Sequence, residues 1–394
     1  MIRLLTIIGA RPQIIKAAAI SRAIQSHFSD KIEEHILHTG QHYDQNMSAV
    51  FFDELGIPEP HYNLQVGSGT HATQTARITE GVEQVLLTAR NQGRSFDGII
   101  VYGDTNSTLA AAIAAVKIHV PVFHIEAGLR SFNMTMPEEV NRIVCDQLSS
   151  ILFTPTQTGF SNLQAEGFAE EGIKRRVRFA NNQPQHVVLS GDVMYDNSLY
   201  FSQIADQKCD IIERLGLTPR GFVLATIHRP ANTDNAENLQ SIFAALLDIA
   251  EQEKIDIILP LHPRTRKLLP EQLSLDLLER ISRTTRMKII EPASFFEIIQ
   301  LEKNARVVMT DSGGVQKEAF FFETPCVILR PETEWVEIVE AGAGVIADAD
   351  YQRIMEAYQQ LAGKAVNFPP LFGDGHASEN ILKTIIQYLD LAID

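Results

Sequence analysis

The chain is short of positive charge, of cysteine and of long apolar runs, and each shortage excludes a class of protein. Its 34 Lys and Arg face 49 Asp and Glu among 394 residues, a net charge of −15. Nucleic acid is excluded as a bulk partner, because neutralising phosphates takes a basic face. Three cysteines, Cys145, Cys209 and Cys326, are odd in number and far apart. They fit neither a disulfide framework nor a zinc site, and a reducing cytosol is the simplest setting. The most apolar stretch, Leu109 to Ile125, is broken by Lys117, His119, Pro121 and His124. Nothing approaches the roughly 20 apolar residues a membrane span requires. Met1-Ile2-Arg3-Leu4 runs directly into an apolar stretch with no small-residue cleavage site, so no signal peptide is expected and a cytoplasmic protein is.

Three motifs are missing as well. No G-x-G-x-x-G follows a strand, since Gly67 and Gly69 lack the third glycine, and there is no Walker A sequence. NAD-dependent redox and P-loop chemistry thereby lose most of their support. His and carboxylate residues show no metal-type spacing, so no metal is expected.

The composition, 45% apolar and 21% charged, is that of a soluble globular protein. The length suits two domains at about 150 residues each. Short apolar runs predict buried strands at Leu4–Ile8, His35–His38, Gly98–Tyr102, Val122–Ile125 and Leu152–Thr154. A second series follows at Val187–Leu189, Phe222–Thr226, Ile257–Pro260, Lys288–Ile290, Val307–Thr310 and Cys326–Leu329. Helical patterns such as Gln13–Gln25, Ser107–Lys117, Asn235–Glu251 and Val315–Phe322 lie between them. Continuous apolar runs separated by amphipathic helices are the pattern of parallel sheets covered on both faces. The expectation is α/β, with two doubly wound units. The polar stretch Asn181–His186 marks the boundary, giving domains 1–183 and 184–376. A terminal helix at 377–394 packs either on its own domain or on the first; periodicity does not choose.

Ligands bind at the carboxyl ends of strands in such sheets, so polar clusters directly after a strand matter most. Gly9-Ala10-Arg11-Pro12-Gln13, with Lys16 one turn on, reads as an anion-binding helix start, or as an ordinary turn with solvated basic residues. Asp104, in Gly103-Asp104-Thr105-Asn106-Ser107, is either a helix cap or, if Thr105 or Ser107 caps instead, a free carboxylate. Glu126 ends the strand Val122–Ile125, and a carboxylate there must be paired or used. Arg130 and Arg142 are its plausible partners in a structural salt-bridge network. Glu138 and Glu139 open the next helix and complement its dipole. Asp104, Glu126 and Glu138 share one rim of a sheet, where crowded carboxylates push their pKa values apart and can supply both an acid and a base. In the second half, His228-Arg229 and His262-Pro263-Arg264 follow neighbouring strands and suit an anionic, extended ligand. Thr310-Asp311-Ser312-Gly313-Gly314 opens a helix as a diphosphate cradle would, with the Ser312 hydroxyl as a donor and Glu318 placed for ribose hydroxyls, or is a plain glycine turn.

On these residues the chain resembles the non-hydrolysing bacterial UDP-N-acetylglucosamine 2-epimerase family along nearly its whole length. The segments that carry the resemblance are GARPQIIK (9–16), YGDTNSTLA (102–110), HIEAGLRS (124–131), MPEEVNR (136–142), His228-Arg229 and TDSGGVQKEA (310–319). The resemblance implies two Rossmann-like domains in a glycosyltransferase-B-like arrangement with an active site in the cleft between them. It implies a homodimer acting on a UDP-sugar without NAD or metal. Carbon 2 would be inverted by elimination of UDP to a bound 2-acetamidoglucal, followed by re-addition. Asp104, Glu126 and Glu138 match the family's catalytic carboxylates and His228 its diphosphate-side histidine. Arg11 and Lys16 match phosphate-side residues, Ser312, Gly313, Gly314 and Glu318 the UDP site, with Arg142 and His262 as further binding residues.

The chain departs from the family pattern at Gln41-His42-Tyr43-Asp44, His228-Arg229-Pro230-Ala231 and Thr333-Glu334-Trp335-Val336-Glu337. The first two regions belong, in some relatives, to a second, activating substrate site. The altered segments resemble the branch acting on UDP-2,3-diacetamido-2,3-dideoxy-glucuronate. UDP-sugar glycosyltransferases share the fold but generally lack the carboxylate trio, and a non-catalytic nucleotide-sugar sensor would not need Asp104 or Glu126.

Overall fold

The computed structural model describes residues 1–41, 56–168 and 184–390. Its strands form two sheets. β1 (Ile2–Ile8), β2 (Ile32–His38), β3 (Tyr62–Asn63), β4 (Gly98–Tyr102), β5 (Val122–Ile125), β6 (Ile151–Thr154) and β7 (His186–Leu189) lie in the order β3-β2-β1-β4-β5-β6-β7. β8 (Phe222–Thr226), β9 (Asp256–Pro260), β10 (Met287–Ile290), β11 (Val307–Thr310), β12 (Cys326–Ile328) and β13 (Gly344–Ile346) lie in the order β10-β9-β8-β11-β12-β13. Every neighbouring pair is parallel. The α/β expectation therefore holds, and its physical basis is visible in the central strands. All five residues of β4 are buried, as strands covered by helices on both faces must be.

Two compact units result, Met1–Asn197 with the chain from Pro370 on, and Ser198–Pro369. One strand is not where the sequence reading put it. Val187–Leu189, expected to open the second series, pairs with β6 from Ile151↔His186 to Thr154↔Leu189 and closes the first sheet. A four-residue apolar run does not encode its neighbour, which is why the expected boundary lay too early. Residues 181–183 of the expected linker lie outside the described residues. The chain leaves the first unit within the helix Val193–Lys208.

The terminal helix Ala377–Asp390 packs on the first unit. Its Tyr388 ring stands edge-on to Phe123 at 5.9 Å and to His186 at 5.7 Å. The Asp196 carboxylate accepts the backbone N–H groups of Ala377 (3.1 Å) and Ser378 (2.7 Å), which would otherwise be orphans of the helix start. In the first core the Ala-rich helix Asn106–Lys117 lets the backbone approach the sheet closely, with Ala110, Ala111, Ala112, Ala114 and Ala115 fully buried. The second core gathers Val223, Phe243, Leu246, Ile257 and Val307.

Gly9 is required by close approach. An added Cβ would stand 2.2 Å from Thr39 Oγ1 and 2.3 Å from Ser107 Oγ, two buried hydroxyls that hydrogen-bond each other at 2.8 Å. Gly9→Ala is therefore expected to destabilise the protein by about 1–3 kcal/mol. A melting temperature equal to the parent's would show that the two strand ends can separate freely.

Candidate active site

In each sheet the strand order reverses once, between β1 and β4 in the first and between β8 and β11 in the second. Crossovers that leave in opposite directions open a crevice at that point, which is where ligands bind in doubly wound folds. The sequence-predicted clusters after β1, β4, β8 and β11 fall at these two positions, with Glu126 one strand away after β5 and His262 one strand away after β9.

After β1, the helix Arg11–Ala23 begins with a built turn. The Gln13 side chain accepts from the amides of Gly9 (2.9 Å) and Ala10 (3.1 Å) and donates to the Tyr102 carbonyl and Thr108 Oγ1, both at 3.0 Å. Two amides of this turn are thus already occupied. Arg11 is exposed, whereas Lys16 is nearly buried and its ammonium donates to Glu126. Lys16 is the cation of Glu126, in place of the expected Arg130 or Arg142. The sheet order explains this, because only β4 separates β1 from β5.

After β4, Thr105 caps the helix Asn106–Lys117, accepting from Thr108 N at 3.3 Å. The Asp104 carboxylate is left for Arg142, whose Nη2 donates to it at 2.5 Å. Burial raises the Asp104 pKa; the Arg142 guanidinium opposes this, the Glu126 charge adds to it, and Lys16 again opposes it. Gly103 has φ +60°, and a Cβ on it would meet Glu126 Oε2 at 2.9 Å and Lys16 Nζ at 3.3 Å. Glu126 itself has φ +68°. A left-handed non-glycine residue costs roughly 1–3 kcal/mol and persists where its surroundings over-determine it, often at functional sites. The helix Pro137–Leu148 supplies the other partners. Glu139, buried, accepts from Arg142 Nη1 (2.9 Å) and from the amides of Ser131 and Phe132, both at 2.9 Å. Burial alone would raise its pKa, but the Ser131 amide, Arg142 and the Phe132 amide hold it below the usual carboxylate value. Glu138, the expected catalytic member, is exposed on the first turn of this helix.

A second set lies beside this one, with His124, Asp146 and Arg130 buried and Glu166 partly exposed. His124, in the middle of β5, reaches Asp146 through Nδ1 (2.8 Å) and the Gly103 carbonyl through Nε2 (2.8 Å). Asp146 also pairs with Arg130 at 2.8 Å, and Arg130 holds Glu166 at 2.6 and 2.8 Å. Burial opposes charge on His124, but its neighbours Cys145 and Asp146 outweigh it and hold the ring well above the ordinary histidine value. Neither His124 nor Asp146 was singled out from the sequence for a role, and Glu139 was read only as complementing the helix dipole. One signal was available: Glu139, Arg142 and Asp146, spaced three and four apart, put a polar stripe on the buried face of an amphipathic helix.

In the second unit, Asp311 at the end of β11 is fully buried. It accepts from the amides of His228 (3.1 Å) and Arg229 (3.0 Å), from Asn232 Nδ2 (3.1 Å) and from His228 Nδ1 (3.1 Å). Burial would raise its pKa; the His228 ring, the Arg229 amide and Asn232 outweigh this and hold it low. A carboxylate on Nδ1 fixes the tautomer and leaves Nε2 as the outward nitrogen, on a side chain that is 55% exposed. Ser312 Oγ caps the helix Gly313–Phe321, accepting from Val315 N at 3.4 Å. Above Gly314 there is open space, the nearest atom to an added Cβ being Ser312 Oγ at 3.8 Å. Glu318, on the same helix, neighbours the buried Glu302, whose pKa is raised well above the usual value by burial and then by Glu318.

His262 caps the helix Pro263–Gln272, accepting from Arg264 N at 3.3 Å, and Arg264 grips Asp234 through two contacts of 2.9 Å. At the divergent segment, Trp335 is buried and donates to the Gly313 carbonyl at 3.0 Å, with Lys317 Nζ 4.4 Å above its ring. Of the other divergent segments, His42, Tyr43 and Asp44 lie outside the described residues. Among the described residues no group of three His, Cys, Asp or Glu could hold a metal ion, and no helix is long and apolar enough to cross a membrane.

Comparison with known proteins bears on this geometry. A family model described as UDP-N-acetylglucosamine 2-epimerase matches residues 24–386. A UDP-2,3-diacetamido-2,3-dideoxy-D-glucuronate 2-epimerase of Pseudomonas aeruginosa is 45% identical over 381 residues, 96% of this chain and 98% of its own. A UDP-N-acetylglucosamine 2-epimerase homolog of Methanococcus maripaludis is 42% identical over 97% of this chain and 99% of its own. The crystal structure of Methanocaldococcus jannaschii UDP-GlcNAc 2-epimerase in complex with UDP-GlcNAc and UDP matches with a TM-score of 0.79 at 38% identity, over 98% of this chain and 100% of that one.

Proposed function

The chain belongs to the UDP-N-acetylglucosamine 2-epimerase family, and from that premise we propose that it inverts carbon 2 of a UDP-2-acetamido sugar by eliminating and re-adding UDP. The observation that carries this reading is the pair Asp104 and Glu126. Each sits at the end of an adjacent strand, and each is matched to its own cation, Arg142 and Lys16.

The carbon 2 proton has no neighbouring carbonyl, so it becomes acidic only as UDP departs and positive charge builds at carbon 1. One group must take that proton and another must return one to the opposite face. Two carboxylates in unlike environments suit this division. In the second unit, His228, oriented by Asp311, and the Gly313–Gly314 helix start supply donors for the diphosphate on which negative charge develops. Glu318 is the acceptor for ribose hydroxyls, and Arg11, Glu138 and His262 contact substrate from exposed positions. The enzyme works in the cytoplasm as a homodimer on polysaccharide precursors.

UDP-N-acetylglucosamine is the first substrate to test. The relative at 45% identity, which carries another name, favours a second reading in which the sugar is UDP-2,3-diacetamido-2,3-dideoxy-glucuronate. Proton NMR in deuterated water separates the two. The expected result is deuterium at carbon 2 with a manno-configured UDP-sugar from one of these substrates. Exchange with neither, or free UDP with free sugar, would overturn the epimerase reading.

The proton roles have their own test. Arg142→Ala removes the cation that holds the Asp104 pKa down, so the limb of the pH–rate profile set by Asp104 is expected to move to higher pH. An acid limb that moves marks Asp104 as a base, active above its pKa; an alkaline limb that moves marks it as an acid, active below it. A profile that keeps both limbs would remove Asp104 from the proton transfers.

A further inference from the structure

The proton-transfer carboxylates need to keep a fixed separation, and the structure contains a device for that which touches neither of them. His124 is fully buried, and both of its ring nitrogens are engaged at 2.8 Å. A carbonyl oxygen can only accept, so Nε2 carries a hydrogen toward Gly103. Asp146 accepts from Arg130 and from Gly128 N (3.3 Å) on one oxygen, and its other oxygen faces Nδ1 at 2.8 Å as an acceptor, so Nδ1 carries a hydrogen too. Both nitrogens donate, which makes the ring an imidazolium. The set then holds two cations, His124 and Arg130, against the buried Asp146 and the partly exposed Glu166, so the buried charges are paired.

The Gly103 amide, for its part, donates to the Ile125 carbonyl at 3.0 Å. Gly103 is therefore tied to β5 at both of its backbone groups, once directly and once through His124. Asp104 follows Gly103 and Glu126 follows Ile125. The Asp104 carbonyl is held as well, accepting from Asn141 Nδ2 at 2.8 Å. We propose that the doubly hydrogen-bonded His124 imidazolium is a positioning residue that locks the Gly103–Asp104 turn to the β5 end bearing Glu126, and so sets the distance between the two proton-transfer carboxylates. The proposal rests on the epimerase reading. Gly103 has to be held from the side, because its left-handed backbone leaves no room for a side chain to brace the turn.

The consequence is specific. If the carboxylates drift apart, elimination and proton return no longer match, and the bound glycal escapes before UDP adds back. His124→Gln keeps a donor for one partner only and removes the charge. Full-length protein is assayed with the UDP-sugar that the parent epimerises. The expected result for His124→Gln is a kcat about 10²-fold lower, as a displacement on the order of 1 Å produces. KM stays near the parent's, and a larger fraction of turnovers ends in free UDP and glycal. Asp146→Asn, which leaves the ring in place but removes its anionic partner, is expected to change the same partition in the same direction, and it decides the matter if His124→Gln does not fold. A folded variant with the parent's kcat and partition would overturn the proposal. A lower kcat with an unchanged partition would also overturn it, because simple loss of folded enzyme produces that. A parent inert with every UDP-sugar tested would overturn the epimerase reading and this proposal together.

Discussion

Asp104→Asn and Glu126→Gln are each expected to lower turnover by about 10²–10⁴-fold, the range that a positioned acid or base contributes, while leaving the affinity for UDP unchanged. Each substitution keeps the side-chain shape and removes the ability to carry a proton between substrate and solvent. The amide oxygen introduced at position 104 could still accept a hydrogen bond from Arg142, and the one introduced at position 126 could accept from Lys16. The turn geometry therefore survives and the loss falls on chemistry. UDP affinity is spared because the proposed diphosphate and ribose contacts, His228, Gly313, Gly314 and Glu318, belong to the second unit. The measurement is kcat by NMR of the sugar protons alongside calorimetric titration with UDP. Loss of UDP binding with undiminished turnover of the remaining complex would reverse the assignment.

Asp311→Ala is expected to have the largest effect on the second unit. The carboxylate accepts from two backbone amides, one side-chain amide and the His228 ring. Alanine leaves several of these donors unpaired, at roughly 1–3 kcal/mol for each one that stays buried. The expected outcome is a melting temperature lowered by a loss on the order of 3 kcal/mol, together with weaker UDP binding as the His228 ring loses its orientation. Asp311→Asn separates the two effects, since an amide fills the same space and still accepts on one oxygen. It should restore most of the stability and leave the UDP defect. A melting curve and UDP affinity equal to the parent's in Asp311→Ala would mean that the turn after β8 needs no such anchor.

Local pattern was enough to find every strand among the described residues but the short edge strands β3 and β13, because a strand buried on both faces must be apolar whatever its neighbours. It was enough, too, to place Asp104, Glu126, His228 and Ser312-Gly313-Gly314 directly after strands, since chain adjacency determines that a residue ends a strand. Pairings were a different matter. Lys16 and Glu126 are 110 residues apart in sequence and meet only because β1, β4 and β5 are laid side by side. Tertiary packing likewise gave Arg130 to Asp146 and Glu166, and Arg142 to Asp104, whereas the pair of Arg142 with Glu139, three residues apart on one helix, is local. It also placed β7 in the first sheet, against the sequence reading.

Fold class and the strand-end positions of the site residues were therefore determined by the sequence itself, through periodicity and turn chemistry acting over a few residues. Which carboxylate each long-range cation neutralises, that Gln13 ties the turn after β1 to β4, and that both nitrogens of His124 are engaged were decided only in the tertiary structure. Electrostatics and hydrogen bonding act across space at a few ångströms, and strand order, which no short segment encodes, determines which groups come that close.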